Sequence, residues 1–592
     1  MKRLRAVTGA IAGLFLFVTA CGGAEPTATA LPTLAPPTST SVPTPTTSQV
    51  VATATRAATV TSPTATRPAP TATPVPPTAT PSGERPKRGG TQRTYMTRNL
   101  ETIDNHDRRN STAWTIGIPM YNYLVENYQF KGVNRPDLAQ SWEVSADGMT
   151  YVFKLNSNVK WTDGKSTTAD DVVYSLDRIR GVKDLKAPAY SDSLAAVKEV
   201  KKVDDYTVQV TLSRPVPEFL DLLGTMGNLI YPAHVPAKDF TYINPVSNGP
   251  FNFKSVQSDV AVQLVRNPNY HLKDEFGNQL PYLDGVTVYV IPDDTAIRAA
   301  FTTGQVDVTF YSASAIVGYT AQVKSSVPGS QVLSYFAPGA LFPNSTGPFA
   351  DVRLRKAFHL ALDRKDLNAL VFQNEAATYS LYNIPGGKYA FTEAELATFP
   401  GFNPNTRQAD VAEANKLLDA YLAERGLTRA TLNLEIKTRQ IWQTWALAAA
   451  DQYKRALSIT IKVTAQDNAT ALQDQGTKNF QIITNGLSSV IDDPAANIGA
   501  YVRTGAGTNY GGWSDPTVDA ALDAISREAD SQKRKQLGQA LEKRLATELL
   551  WHISLFGEPR PYAARKEVKG EWQVLHNQDG PGYKRDRVWL DR

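Results

Sequence analysis

Residues 136–175 read PDLAQSWEVSADGMTYVFKLNSNVKWTDGKSTTADDVVYS, and this stretch decides the fold. Its Asp-Gly pairs at 147–148 and 163–164 are typical turn dipeptides. Between them, large apolar side chains fall on every second residue, which predicts a strand with one packed face, at Tyr151, Phe153 and Leu155. A hydroxyl at Thr168 followed by Asp170 and Asp171 predicts the start of a helix.

The same two periodicities recur along the chain. Alternation at 208–212 and 286–290 predicts two more strands, and apolar spacing at 354–362 and 411–422 predicts two helices. Residues 432–463 read as strand, helix (about 441–457) and strand, a unit that places its two strands parallel. We therefore predict an α/β fold with mixed sheets.

The N-terminus has the features of a secretory signal peptide. A short basic head is followed by an apolar run over residues 6–19 that is too short to span a membrane. The ending Val18-Thr19-Ala20-Cys21 resembles the lipobox of bacterial lipoproteins, and Cys21 is the only cysteine in the chain. We expect residues 1–20 to be a lipoprotein signal peptide and Cys21 to be the site of lipid attachment. An ordinary signal peptide with a chance cysteine is the alternative.

Residues 21–87 form a linker in which Thr, Pro, Ala, Ser and Val predominate. Such a composition offers little apolar surface to bury, so we expect a disordered stalk between lipid and folded domain. The formal net charge of +5 lies mainly in the leader and this linker, which leaves the remainder near neutral and gives no argument for nucleic-acid binding. The threonines also permit glycosylation.

Signatures of catalysis and of cofactor binding are absent from the sequence. None of the six histidines has another at metal-ligand spacing, and there is no cysteine partner. The chain contains no G-x-S-x-G, H-E-x-x-H, P-loop or G-x-G-x-x-G motif. We predict no enzyme activity, no cofactor and no metal.

The opening stretch resembles the signature region of family 5 extracellular solute-binding proteins, the peptide, nickel and opine receptors of ABC importers. Further matches follow in that family's order. They are Asn248-Gly249-Pro250-Phe251, Arg266–Tyr270, Pro281–Asp284, Gly304–Asp307, Phe349–Phe358, Ala361–Arg364 and Trp513–Asp519. The resemblance covers about residues 89–592.

The resemblance implies a two-lobed periplasmic-binding-protein-like fold that closes around its ligand by hinge motion. One lobe is discontinuous, with residues 88–340 (including a subdomain at about 125–247) joined by a C-terminal return over 561–592. Residues 341–560 form the second lobe. The implied partners are an oligopeptide or similar polar solute and an ABC permease with its cytoplasmic ATPase, and the implied state is a lipid-anchored monomer outside the cytoplasm.

Candidate ligand-binding residues follow from the resemblance and from the residue types. In peptide receptors of this family an Asp four residues before a Pro holds the ligand's α-amine. Taking that proline as Pro494 places Val490 at the position, with carboxylates instead at Asp492 and Asp493. Asp493-Pro494 also reads as a helix N-cap followed by proline at the first helical position.

The remaining candidates are hydrogen-bonding and aromatic side chains. An amide, Asn122, replaces the carboxylate of the family's Tyr-Glu-x-Leu hinge, and Trp442 and Trp445 suit either stacking on a ligand or core packing. The other candidates are Tyr121, Asn344 and Trp513. Three alternatives to peptide import stay open: a lipid-anchored hydrolase using Asp492 or Asp493, an oligosaccharide receptor, and a signalling receptor on the same fold.

Overall fold

The computed structural model describes residues 85–106, 111–128, 133–182, 193–236, 245–310, 318–487, 491–572 and 584–592. All of them fall within one compact unit of the chain. The predicted signal peptide, Cys21 and most of the linker lie outside the described residues, as does Val490. Within the described ranges, no helix has the length and apolar character that a membrane span requires.

The described residues form fourteen α-helices and twenty strands, numbered in chain order. The helices are α1 (Ser111–Met120), α2 (Ala169–Arg180), α3 (Phe219–Leu223), α4 (Asp294–Thr303), α5 (Tyr319–Ser326), α6 (Val352–Ala361), α7 (Arg364–Phe372), α8 (Glu393–Leu396), α9 (Arg407–Arg425), α10 (Gln443–Leu457), α11 (Asn468–Thr477), α12 (Pro494–Val502), α13 (Pro516–Arg527) and α14 (Ser531–Arg544). The strands are β1 (Thr91–Met96), β2 (Asn122–Tyr123), β3 (Val125–Tyr128), β4 (Val133–Pro136), β5 (Ala139–Val144), β6 (Thr150–Leu155), β7 (Val197–Asp204), β8 (Thr207–Leu212), β9 (Leu229–Ile230), β10 (Phe251–Gln257), β11 (Ala261–Arg266), β12 (Gly285–Val290), β13 (Val308–Phe310), β14 (Gln331–Pro343), β15 (Leu434–Arg439), β16 (Ile461–Gln466), β17 (Ile482–Gly486), β18 (Ile553–Ala564), β19 (Val568–Gly570) and β20 (Val588–Leu590).

The predicted local structure is confirmed at the opening stretch. Strand β6 carries the alternating residues, and helix α2 starts after Thr168, whose backbone N–H donates to the Asp171 carboxylate (2.8 Å). Gly148 adopts a φ of +69°, which favours glycine in the turn before β6. The predicted strand–helix–strand unit is β15, α10 and β16 with parallel strands, although α10 begins at Gln443 and a 3₁₀ turn covers Gln440–Trp442.

Two small sheets belong to one core. Strands β1, β12, β11 and β10 form a sheet in that order, with β1 and β12 parallel, and β5, β6, β8 and β7 form an antiparallel sheet. Their buried faces meet in a first core that also takes in residues of the C-terminal segment, including Val568, Val588 and Leu590. We call the parts of the chain around this core the first lobe, which is thus discontinuous.

A six-stranded mixed sheet organises the rest of the chain, in the order β13-β18-β14-β17-β15-β16. Successive residues of its strands point to opposite faces, so Leu341 and Ile482 lie in one apolar cluster and Phe342 and Ile483 in another. Helices cover both faces, and we call this part the second lobe.

Strands β14 and β18 connect the two lobes. They pair antiparallel from Gln331 opposite Ala564 to Leu341 opposite Ile553. Ala564 lies in the first core, whereas Ile553 and Leu341 lie in the second lobe. The lobe boundaries expected at 341 and 561 therefore fall inside these two strands.

A buried ion pair ties the C-terminal segment to the first lobe. The Lys584 ammonium contacts Asp137 Oδ2 and Asn122 Oδ1, both at 2.7 Å, and the Lys584 and Asp137 side chains are fully buried. Burial raises the pKa of Asp137 to about 7, and the ammonium opposes that rise.

A second buried carboxylate holds the loop that follows residue 381. Glu542 of α14 accepts hydrogen bonds from the backbone N–H groups of Tyr382 (2.7 Å) and Asn383 (2.8 Å) and from the Asn383 amide (3.1 Å). Burial raises the pKa of Glu542 to about 7, and the three hydrogen bonds act in the opposite direction.

Lys584→Met should lower the free energy of unfolding by about 3–5 kcal/mol, because it leaves the Asp137 carboxylate buried without its cation. Lys87→Met is the matched control, since Lys87 pairs with Asp591 at the surface and its loss should cost less than about 1 kcal/mol. Denaturant unfolding of both variants measures the difference. Equal costs would show that the buried pair has no structural role.

Glu542→Gln should gain stability relative to the wild type as pH rises from 5 to 8. Because the pKa of Glu542 is raised in the folded state, the native protein holds a proton that the unfolded chain has released. The contribution of Glu542 to the free energy of unfolding therefore falls as the pH rises from the pKa of the unfolded state toward 7. The full difference is on the order of 3 kcal/mol. Denaturant unfolding across this range tests it. The exposed control Glu548→Gln should give parallel curves, and parallel curves for Glu542→Gln would contradict the assignment.

Candidate functional site

The carboxyl ends of three neighbouring strands meet at one edge of the six-stranded sheet. Strand β15 pairs in parallel with β16 and with β17, so Arg439, Gln466 and Gly486 end their strands on the same side. In open α/β sheets, ligands bind in the crevice outside such carboxyl ends. The chain passes from β17 through residues 488–490, outside the described ranges, to Asp492. We therefore place the candidate site at this edge.

Arg439 and Trp442 bring hydrogen-bond donors to this edge. The Arg439 guanidinium carbon lies 5.0 Å from the centre of the Trp442 ring, and its Nη2 is 3.5 Å from Gln475 Oε1. Arg439 Nε and Trp442 Nε1 are buried and have no hydrogen-bond partner among the described residues, where no carboxylate pairs with Arg439 either. Burial lowers the pKa of Arg439. The pair can donate to a carboxylate or a carbonyl oxygen.

Trp442 and Trp445, both candidate ligand-binding residues, stack on each other with ring centres 5.3 Å apart. Trp442 is 6% exposed and Trp445 2% exposed. Trp445 also packs edge-to-face on Phe372 and Phe556. Trp445 thus adopts the core-packing alternative, while Trp442 presents its indole N–H at the site. Ligand binding by either residue stays a prediction.

The adjacent carboxylates Asp492 and Asp493 have different surroundings. Asp493 caps α12 by accepting from Ala496 N (2.7 Å), and it pairs with Arg534 Nε (2.8 Å), which confirms the N-cap prediction. Asp492 Oδ2 accepts from Lys388 N (2.7 Å), but its buried Oδ1 has no hydrogen-bond partner in the described part of the chain. Burial raises the pKa of Asp492. Asp492 therefore keeps an oxygen free for a donor.

Four other predicted residues have internal contacts. Asn344 donates to Lys478 O and Phe480 O (2.9 Å each), and Trp513 donates to Pro343 O (3.1 Å) while stacking on Trp551. Tyr121 is buried with its ring 4.5 Å from that of Tyr231, and Asn122 accepts from Lys584. Their ligand-binding roles stay predictions.

No sequence pattern points to Glu218, Tyr389 and Arg534, which meet near Asp493. Glu218 Oε2 lies 2.7 Å from Arg534 Nη2, and the Tyr389 hydroxyl donates to Glu218 Oε1 (2.9 Å). Two of the three residues lie outside regular elements, and no motif contains any of them. Only the packing of the lobes brings them together.

Comparison with known proteins gives a consistent result. The sequence profile of "Bacterial extracellular solute-binding proteins, family 5 Middle" matches residues 134–509. The dipeptide-binding protein DppE of Bacillus subtilis is 24% identical over 75% of this chain and 84% of its own length. The periplasmic oligopeptide-binding protein OppA of Salmonella typhimurium is 26% identical over 75% and 83%.

A solved structure shares the fold. The periplasmic binding protein DppA from Helicobacter pylori, in complex with the peptide STSA, superposes with a TM-score of 0.68 at 18% identity, over 86% of this chain and 99% of that one. This likeness confirms the predicted two-lobed α/β fold. Because the family profile also matches more than half of the chain, the resemblance seen in the sequence is confirmed. The chain belongs to the bacterial extracellular solute-binding proteins of family 5.

Proposed function

We propose that this chain captures short peptides outside the cytoplasm and delivers them to the permease of an ABC importer. One observation supports the peptide ligand above the others: two groups of opposite charge, one at the end of β15 and one in the segment that follows β17, retain unused hydrogen-bonding atoms. They are the Asp492 carboxylate and the Arg439 guanidinium, the latter with the Trp442 indole N–H beside it.

The energetics of burial favour a ligand with complementary ends. A buried polar atom without a partner costs free energy, and a buried charge costs more. A ligand ammonium placed at Asp492 Oδ1 and a ligand carboxylate or carbonyl placed at Arg439 and Trp442 would remove both costs. A peptide carries all of these groups, and the names of the relatives include dipeptide- and oligopeptide-binding proteins.

Closure of the lobes completes the proposed mechanism. Strands β14 and β18 are the elements that pass from one core to the other, so we assign the hinge to them. Closing the cleft removes the ligand from water, which lets backbone and side-chain dipoles bind it with few charges. Members of this family are binding proteins, and we propose no catalytic step.

We also propose that the protein is held at the membrane by lipid on Cys21, with the Thr/Pro-rich stretch as a spacer. The lipobox-like residues 18–21 and the uniqueness of the cysteine support this assignment. A spacer of this composition would let the binding domain reach the permease while staying tethered.

Blocking the ends of a peptide should reveal which residue holds each end. Asp492→Asn should weaken binding of peptides with a free amine by roughly tenfold or more and spare N-acetylated peptides, because a charge-assisted hydrogen bond is lost. Arg439→Gln should do the same for peptides with a free carboxylate and spare C-amidated ones. Calorimetry with a tripeptide pool in free, N-acetylated, C-amidated and doubly blocked forms measures both effects.

Asp451→Asn and Arg527→Gln are the matched controls, since both residues are exposed and lie on α10 and α13. They should bind like the wild type. Equal losses for blocked and free peptides would contradict the assignment of the two ends. Heat from an oligosaccharide pool alone would refute a peptide ligand.

Cys21→Ser should yield a protein that no longer partitions into the detergent phase, because the lipidated thiol is gone. Phase partition and metabolic labelling with fatty acid check this, with the wild-type chain as the reference. Fatty-acid incorporation into the variant would rule out Cys21 as the anchor.

A further inference from the structure

The Glu218 side chain of the first lobe contacts two residues of the second lobe. Glu218 immediately precedes α3, whose residues Phe219 and Leu223 belong to the first core. Its carboxylate is 6% exposed and lies 2.7 Å from Arg534 Nη2 of α14 while accepting from the Tyr389 hydroxyl at 2.9 Å. Both partners belong to the second lobe. Each carboxylate oxygen of Glu218 is thus bound across the boundary between lobes.

The partner groups of Glu218 are held in place by the second lobe itself. Arg534 donates through Nε to Asp493 (2.8 Å) and through Nη1 to Glu528 O (3.1 Å), and its side chain is 3% exposed. The Glu542 carboxylate fixes the start of the loop that carries Tyr389. These contacts lie within the second lobe and do not require Glu218, so the socket, defined as Arg534 and Tyr389, is organised in advance.

Other charged groups surround this contact. Asp221 of α3 lies on the side of the first lobe, and Lys388, Asp492 and Asp493 lie on the side of the second. Lys388 Nζ sits 4.5 Å from the centre of the Tyr389 ring. Together with Glu218 and Arg534 these groups comprise four carboxylates and two cations. The excess of carboxylates keeps an ionised Glu218 from being bound too tightly.

We propose that Glu218 is a latch that docks into the Arg534–Tyr389 socket and holds the two lobes together in the absence of solute. The inference rests on the hinge closure of the proposed function. A latch of this kind sets the fraction of closed protein that exists before a ligand arrives, and apparent affinity scales with the competent fraction. The attraction within a buried ion pair exceeds the free-energy cost of its desolvation by only a small amount. The open and closed forms can therefore exchange.

The latch should weaken as pH rises through neutrality. Burial, followed by the nearby Asp493, raises the pKa of Glu218 to about 7, with Arg534, Tyr389 and Lys388 acting in the opposite direction. In the open form Glu218 is solvated and has its ordinary, lower pKa. The closed form therefore binds the extra proton, and raising the pH from 5 to 8 shifts the equilibrium toward the open form.

Distances between the lobes test the latch without any ligand. In the full-length protein carrying Cys21→Ser, spin labels at cysteines replacing the exposed residues Lys201 and Arg527 report the separation of the lobes. At pH 6, Glu218→Ala should reduce the ratio of the closed to the open population roughly tenfold, because the contacts of Glu218 with Arg534 and with the Tyr389 hydroxyl are lost. Glu143→Ala, on the exposed side of β5, is the matched control and should leave the distribution unchanged.

Tyr389→Phe removes one hydroxyl while keeping the ring, and it decides the question if Glu218→Ala perturbs folding. It should shift the distribution in the same direction by a smaller factor. Glu218→Gln should abolish the dependence of the distribution on pH. Unchanged distances in Tyr389→Phe and in a folded Glu218→Ala variant would overturn the proposal. Since no solute is added, this result is independent of whether the protein binds peptides.

Discussion

The antiparallel pairing of β14 with β18 holds the two lobes together. The two strands are paired from Gln331 to Leu341 on one side and from Ile553 to Ala564 on the other, and their ends are buried in different cores. The ladder has one register shift, between Gly339 and Ala340. A ladder of backbone hydrogen bonds resists stretching and shearing but can twist and bend. Such a ribbon lets the parts of the chain at its two ends change their relative orientation while the two strands stay paired.

The proposed ligand-binding groups lie at and beyond the ends of the parallel strands in the six-stranded sheet. Parallel pairing of β15 with β16 and β17 places Arg439 at the edge where these strands end, and Asp492 follows β17 in the chain. Burial then gives these two groups their significance. At the surface, water would satisfy the hydrogen-bonding atoms of an arginine and a carboxylate. When these atoms are buried without partners, a ligand that supplies the missing hydrogen-bond partners is favoured.

The adjacent residues Asp492 and Asp493 have different roles. Asp493 is used by the fold, as the cap of α12 and as the counter-ion that organises Arg534, while Asp492 keeps one oxygen free. The Nη2 atom of the same arginine contacts both Asp493 and Glu218 of the other lobe. The pair Asp492-Asp493 thereby connects the proposed ligand site with the contact that joins the lobes.

The local elements and the family could be predicted from the order of residues, because both depend on short-range patterns. Alternation predicts β6, β8 and β12, the Asp493-Pro494 pair predicts the start of α12, and the signature motifs identify the family. Tertiary structure alone decided the roles of single side chains. Asn122 meets Lys584, and Glu218 meets Arg534, across more than 300 residues of chain in each case. Burial and the choice of partner decide whether a charged or aromatic residue is structural or available to a ligand, and both arise only when distant segments pack together.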